Sequence, residues 1–68
     1  MTDLQSKQIR SIYRYLLNNN PERLEYLQSI YSYQSGISRD VVSGLDAIIN
    51  FIVFNKYSEK QILNGSLF

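Results

Sequence analysis

Ionisable side chains are where chemistry would be expected, and this chain has a restricted set of them. It contains no histidine and no cysteine, so it lacks the usual general base at neutral pH, a thiol nucleophile and the softer metal ligands. The sequence also lacks a glycine-rich phosphate loop. The scattered carboxylates show no spacing typical of a metal site: Asp3, Glu22, Glu25, Asp40, Asp46 and Glu59. We therefore predict no catalytic residue, metal site or cofactor, and we expect a protein that is not an enzyme.

Aromatic and basic side chains are the more informative group. Six tyrosines and three phenylalanines occur among 68 residues, and tyrosine is enriched at protein interfaces because it is large, stiff and tipped by a polar group. On a predicted second helix Tyr26, Tyr33 and Ile30 lie along one edge, while the first helix carries a basic stripe starting at Lys7. A solvated face is the alternative interpretation of that stripe. The predicted partner-binding residues are Tyr15, Tyr26, Ile30, Tyr33, Arg10 and Arg14.

Residues 35–45 form the one motif-like stretch. A glycine is followed by an apolar residue, a Ser-Arg pair and spaced apolar positions, namely Gly36, Ile37, Ser38, Arg39, Val42 and Leu45. This stretch resembles the turn and recognition helix of helix-turn-helix proteins. The resemblance implies a dimeric DNA-binding transcription regulator in which Ser38, Arg39 and Ser43 face the major groove. Two aspartates give the predicted reading helix a net charge of −1, which disfavours phosphate contacts. DNA binding is therefore the alternative hypothesis.

Capping residues and apolar spacing predict the ends of the first two helices. The first begins after Thr2 or Asp3, which are N-capping types, and extends to about Asn18. A run of three asparagines before Pro21 indicates a break, because asparagine caps helices and proline is favoured at the first helical position. The second helix is expected to extend from Pro21 to about Gln34.

Two more helices are predicted in the second half of the chain. Ser38 is expected to cap a third helix that reaches about Asn55. A short fourth helix begins at Ser58, where Ser58 and Gln61 have the spacing of a capping box, and it ends at Gly65.

The predicted third helix is apolar around nearly its whole circumference, which is typical of a central buried helix. The alternative is a buried strand at residues 51–54, but the helical periodicity of the preceding residues continues into this segment. Two amphipathic neighbours and one short helix are too few to enclose it. We therefore expect a protein partner, self-association into a homodimer, or both.

Composition sets the remaining expectations. Residues 1–8 are polar and the longest apolar run is far shorter than the roughly 20 residues of a spanning helix, so we expect a soluble protein with no membrane partner. The absence of cysteine favours the cytoplasm, and a net charge of +1 gives no long-range attraction for nucleic acid.

We predict one all-α domain over residues 1–68, a compact bundle of three main helices plus a short C-terminal helix. The favoured function is a small regulatory or adaptor protein, such as an inhibitor or antirepressor of a bacterial or phage regulatory system.

Overall fold

Helices account for all the regular structure in residues 2–67, the part of the chain that the computed structural model describes. They are α1 (Asp3–Asn19), α2 (Pro21–Ser35), α3 (Gly44–Ile49) and α4 (Glu59–Asn64). A π-helical segment, Asn50–Phe54, continues α3 without a break. The predicted all-α bundle with a short C-terminal helix is confirmed.

The first two helices begin and end where their capping residues predict. The Thr2 hydroxyl accepts a hydrogen bond from the Gln5 N–H at 3.1 Å, and the Gln5 side chain accepts one from the Thr2 N–H at 3.0 Å. The Asn20 side chain accepts from the Arg23 N–H at 3.2 Å. Gly36 ends α2 in the left-handed conformation, with φ of 74°, which only glycine adopts without a steric cost.

The predicted start of the third helix is wrong. Ser38 does not cap it; the helix begins at Gly44, and the Ser43 hydroxyl accepts a hydrogen bond from the Asp46 N–H at 3.0 Å. Both serines are good caps, so tertiary contacts decide between them. The side chain of Gln28 donates to the Val42 carbonyl at 3.1 Å and holds the connecting segment against α2. Residues 36–43 are consequently irregular, with a turn at residues 39–41.

Gly44 allows the close approach of α3 to α2. A Cβ atom at this position would lie 2.8 Å from Cδ1 of Leu24, well inside van der Waals contact. Leu24 is itself buried, so it has little room to move away. The missing side chain at the first position of α3 therefore sets the distance between the two helices.

The third helix, α3 with its π-helical continuation, lies at the centre of the core. Phe51 is fully buried, and its ring packs against those of Tyr31 and Tyr57 at centroid distances of 6.3 and 5.8 Å. The strand alternative for residues 51–54 is wrong, because they are π-helical. The buried side chains in residues 2–67 are all apolar, and every helix contributes to this core: Ile9, Ile12, Leu16, Leu24, Leu27, Ile30, Val42, Ala47, Ile48, Phe51, Ile52, Ile62 and Leu67.

An arginine on α2 holds the last helix in place. α4 begins at the predicted capping box and ends at Gly65. Its terminal carbonyls are then bound by Arg23, whose Nε donates to the Ile62 carbonyl at 2.9 Å and whose Nη2 donates to the carbonyls of Gln61, at 2.8 Å, and of Gly65. The positive charge also stabilises the negative end of the helix dipole. The same guanidinium lies over the ring of Tyr26, 4.7 Å from its centroid.

Replacing Arg23 with lysine should destabilise the fold. The ammonium group keeps the charge but cannot reproduce the planar fork that reaches three carbonyls, so the free energy of unfolding should fall by about 1–3 kcal/mol. Urea denaturation followed by far-UV circular dichroism measures this. Arg39→Lys is the matched control, because Arg39 makes only a 3.3 Å hydrogen bond to Ser29. Equal stability of the two variants would contradict the role of Arg23.

Replacing Gly36 with alanine tests the left-handed end of α2. An added Cβ would meet no atom within 4 Å. The loss of stability would therefore come from the left-handed backbone conformation alone. The free energy of unfolding should fall by about 1–2 kcal/mol, measured by the same denaturation. Gly36→Asn should lower the free energy of unfolding by less, since asparagine tolerates this conformation. An alanine variant as stable as the parent chain would argue against a left-handed residue at this position.

Candidate protein-binding surface

The outward side of α1 carries a shallow, open depression of about 520 Å³. All of its lining residues come from α1, at the three- and four-residue spacing of one helical face. They are Lys7, Arg10, Ser11, Arg14, Tyr15 and Asn18, and we call this feature the α1 depression. The structure thus brings together three residues predicted to bind a partner, namely Arg10, Arg14 and Tyr15.

The basic side chains of the α1 depression are exposed and unpaired. Within residues 2–67, the side chains of Lys7, Arg10 and Arg14 form neither a hydrogen bond nor an ion pair. The helix holds these three cations against a single acidic residue, Asp3, and so has a net charge of +2. Like charges three and four residues apart on a helix repel one another. This face is therefore an anion-attracting surface that slightly destabilises the helix carrying it.

A smaller, more apolar cleft adjoins this depression. It has a volume of about 190 Å³ and lies between α1 and α3, lined by Ser6, Ile9, Arg10, Leu45 and Ile49. We call it the α1–α3 cleft. Arg10 lines both features, so the basic and apolar surfaces are continuous. Leu45 is 37% exposed, and its side chain is available to a ligand in the cleft.

The residues of the predicted aromatic surface differ in how far their side chains are exposed. Tyr15 is 54% exposed at the α1 depression, and Tyr33 is 83% exposed near the end of α2. Tyr26 is 38% exposed and already stacks with the guanidinium of Arg23. The prediction that Ile30 belongs to this surface is wrong: it is 4% exposed, because its three-residue spacing from Leu27 places it on the core side of α2.

The residues predicted from the helix-turn-helix resemblance do not share a helical face. Ser38 and Arg39 lie in the irregular segment between α2 and α3. The Nε of Arg39 donates to the Ser29 hydroxyl at 3.3 Å, and the Ser43 hydroxyl accepts from the Asp46 N–H as the cap of α3. The expected recognition helix starting at Ser38 is therefore not formed.

Sequence reasoning missed the apolar part of the surface. Leu45 and Ile49 follow the helical period of the core residues Ile48 and Ile52, so periodicity alone assigns all four to the interior. The later start of α3 and its approach to α1 leave Leu45 at the rim. Lys7, in contrast, was part of the recognised basic stripe, and the structure adds it to the site.

Among residues 2–67, no three or more His, Cys, Asp or Glu side chains come together as a metal-binding group. In the same part of the chain, no helix combines the length and apolar character needed to cross a membrane.

Comparison with known proteins assigns no family. The chain matches no protein-family model, no curated protein and no solved structure. The geometry and charge of its surfaces are therefore the guide to its function.

Removing one cation from the α1 depression should stabilise the folded protein. Arg10 faces like charges at Lys7 and Arg14, and each such pair costs about 0.2–0.5 kcal/mol. Arg10→Gln keeps the helix propensity, so the free energy of unfolding should rise by about 0.5 kcal/mol in low salt. The gain should shrink in high salt, where charges are screened. Arg39→Gln, outside any helix, should show no such gain. Destabilisation by Arg10→Gln would mean that the side chain has an intramolecular partner.

Proposed function

We propose that this chain is a small, non-enzymatic regulatory or adaptor protein that binds another protein through the α1 depression. The observation that carries the proposal is the set of three unpaired cations around Tyr15. Their mutual repulsion opposes folding, so their clustering is explained by a partner that neutralises them. Exposed tyrosine beside arginine is also the composition enriched in protein interfaces.

The non-enzymatic part of the proposal is supported by side-chain chemistry. A chain without histidine and cysteine has no side chain whose ordinary pKa lies near neutral pH. Binding is then the natural means of action: the protein covers a surface on its partner or joins two partners. A cytoplasmic inhibitor or antirepressor of a bacterial or phage regulatory system fits this description. The exposed Tyr33 on α2 offers a separate surface for self-association into a dimer.

Site-specific photo-cross-linking tests the proposal. A benzophenone-bearing amino acid at position 15, introduced in cells that produce the protein, should cross-link a defined protein that mass spectrometry identifies. The double variant Arg10→Glu with Arg14→Glu should abolish the cross-link, because it reverses the charge of the depression.

The matched control is Lys56→Glu with Lys60→Glu. It changes the net charge by the same amount at exposed residues outside the depression, so the cross-link should persist. Retention of the cross-link after charge reversal at Arg10 and Arg14 would refute the proposed surface. A cross-link to nucleic acid alone would refute a protein partner.

A further inference from the structure

We infer that the partner presents an acidic amphipathic helix, which lies along α1 and inserts an apolar side chain into the α1–α3 cleft. The inference deepens the proposed function and rests on it, because it names the chemistry of the segment that the same surface binds. Three properties of this surface support it: its charge, the spacing of that charge, and the apolar cleft beside it.

The charge selects an anionic partner. Lys7, Arg10 and Arg14 are exposed and have no carboxylate within ion-pair distance among residues 2–67. Carboxylates are the protein groups that form charge-assisted hydrogen bonds with such donors, and arginine binds them through two parallel bonds. A segment rich in Glu or Asp is therefore the complementary protein surface.

The spacing of the cations matches a helix. Lys7, Arg10 and Arg14 follow an i, i+3, i+7 pattern, so they extend over about 10 Å along one side of α1. A second helix laid alongside carries its own side chains at the same repeat. Carboxylates at i, i+3 or i+4, and i+7 of that helix can each meet one cation without distortion of either backbone.

The cleft supplies an apolar anchor point next to the charges. Ile9, Leu45 and Ile49 form its apolar walls, and Arg10 forms the side shared with the depression. A cavity of about 150 Å³ accommodates a benzene molecule, so a cleft of about 190 Å³ has room for one leucine, isoleucine or phenylalanine side chain. An amphipathic helix carries acidic and apolar side chains on adjacent faces and can engage both features at once.

The same observations disfavour nucleic acid at this surface. A phosphate backbone neutralises cations but has no aliphatic group for the α1–α3 cleft. Regular DNA recognition would also use a helix that enters the major groove, and residues 36–43, which resemble the start of one, are irregular. The acidic helix uses the charges and the cleft together.

Binding of designed probes to the isotope-labelled protein tests the inference. The first probe is a synthetic helical peptide of about 18 residues, long enough to be helical, with leucine on one face and glutamate beside it. In the second peptide serine replaces the leucines, and in the third glutamine replaces the glutamates. A mixed-sequence DNA duplex is the fourth probe.

The first peptide should bind at least about tenfold more tightly than either altered peptide, since a buried leucine and several ion pairs each contribute that much. Its binding should weaken as salt is raised. Nuclear magnetic resonance shifts should concentrate at residues 6–18 and 45–49. Equal binding of the three peptides, shifts centred on another surface, or tighter binding of the duplex would each overturn the inference.

Variants of the protein locate the anchor point. Leu45→Ser should weaken binding of the first peptide by about tenfold. The double variant Arg10→Gln with Arg14→Gln should weaken the same binding by a similar factor. Val41→Ser is the matched control, because Val41 is an exposed apolar side chain, 72% accessible, that does not line the cleft. Undiminished binding by folded Leu45→Ser protein would overturn the use of the cleft.

The two proposals fail in distinguishable ways. A protein cross-linked at position 15 whose bound segment is neither acidic nor helical would leave the proposed function standing and refute the acidic helix. If position 15 cross-links only nucleic acid and the DNA duplex binds more tightly than all three peptides, both proposals are refuted.

Discussion

Burial of Phe51 is the constraint on which the other features of this protein depend. Its ring lies at the centre of the core, in contact with Tyr31 from α2 and with Tyr57 from the segment before α4. A chain of 68 residues without cysteine has neither disulfides nor a large interior, so its stability depends on covering the side of this helix that carries Phe51. Each surrounding helix must therefore turn its apolar side inward, and the polar side of α1 is left exposed.

The division of α1 into two faces follows from this requirement. Ile9, Ile12 and Leu16 are committed to the core, while Lys7, Arg10 and Arg14 cover the opposite side. Substitutions on the basic face then alter charge without opening a cavity. Charge changes on this face therefore act on stability through electrostatic repulsion and not through packing. Leu45 on α3 differs, because it lies at the margin of the core and also lines the α1–α3 cleft.

Local sequence signals predicted the helix ends that depend on neighbouring residues. Thr2, Asn20 and Ser58 act as caps through hydrogen bonds that stay within three residues. The start of α3 was missed because Ser38 and Ser43 are equally suitable caps, and the choice between them depends on contacts with α2. The basic stripe of Lys7, Arg10 and Arg14 was recognisable from helical period alone.

Long-range contacts account for what the sequence could not predict. The partners of Arg23 are main-chain carbonyls 38 to 42 residues away, and every residue has such a carbonyl, so no side-chain pattern marks them. The exposure of Leu45 likewise depends on how α3 approaches α1. The apolar half of the proposed site was therefore visible only in the folded structure.

The way Arg23 binds α4 has a consequence for evolutionary divergence. Main-chain carbonyls are present whatever side chains α4 carries, so the arginine constrains the path of that helix and not its composition. Exposed positions of α4 can therefore be substituted without moving the helix. Arg23, the fully buried Ile62, and Gly65, where a Cβ would lie 2.7 Å from Cα of Gln61, cannot be changed without disturbing it.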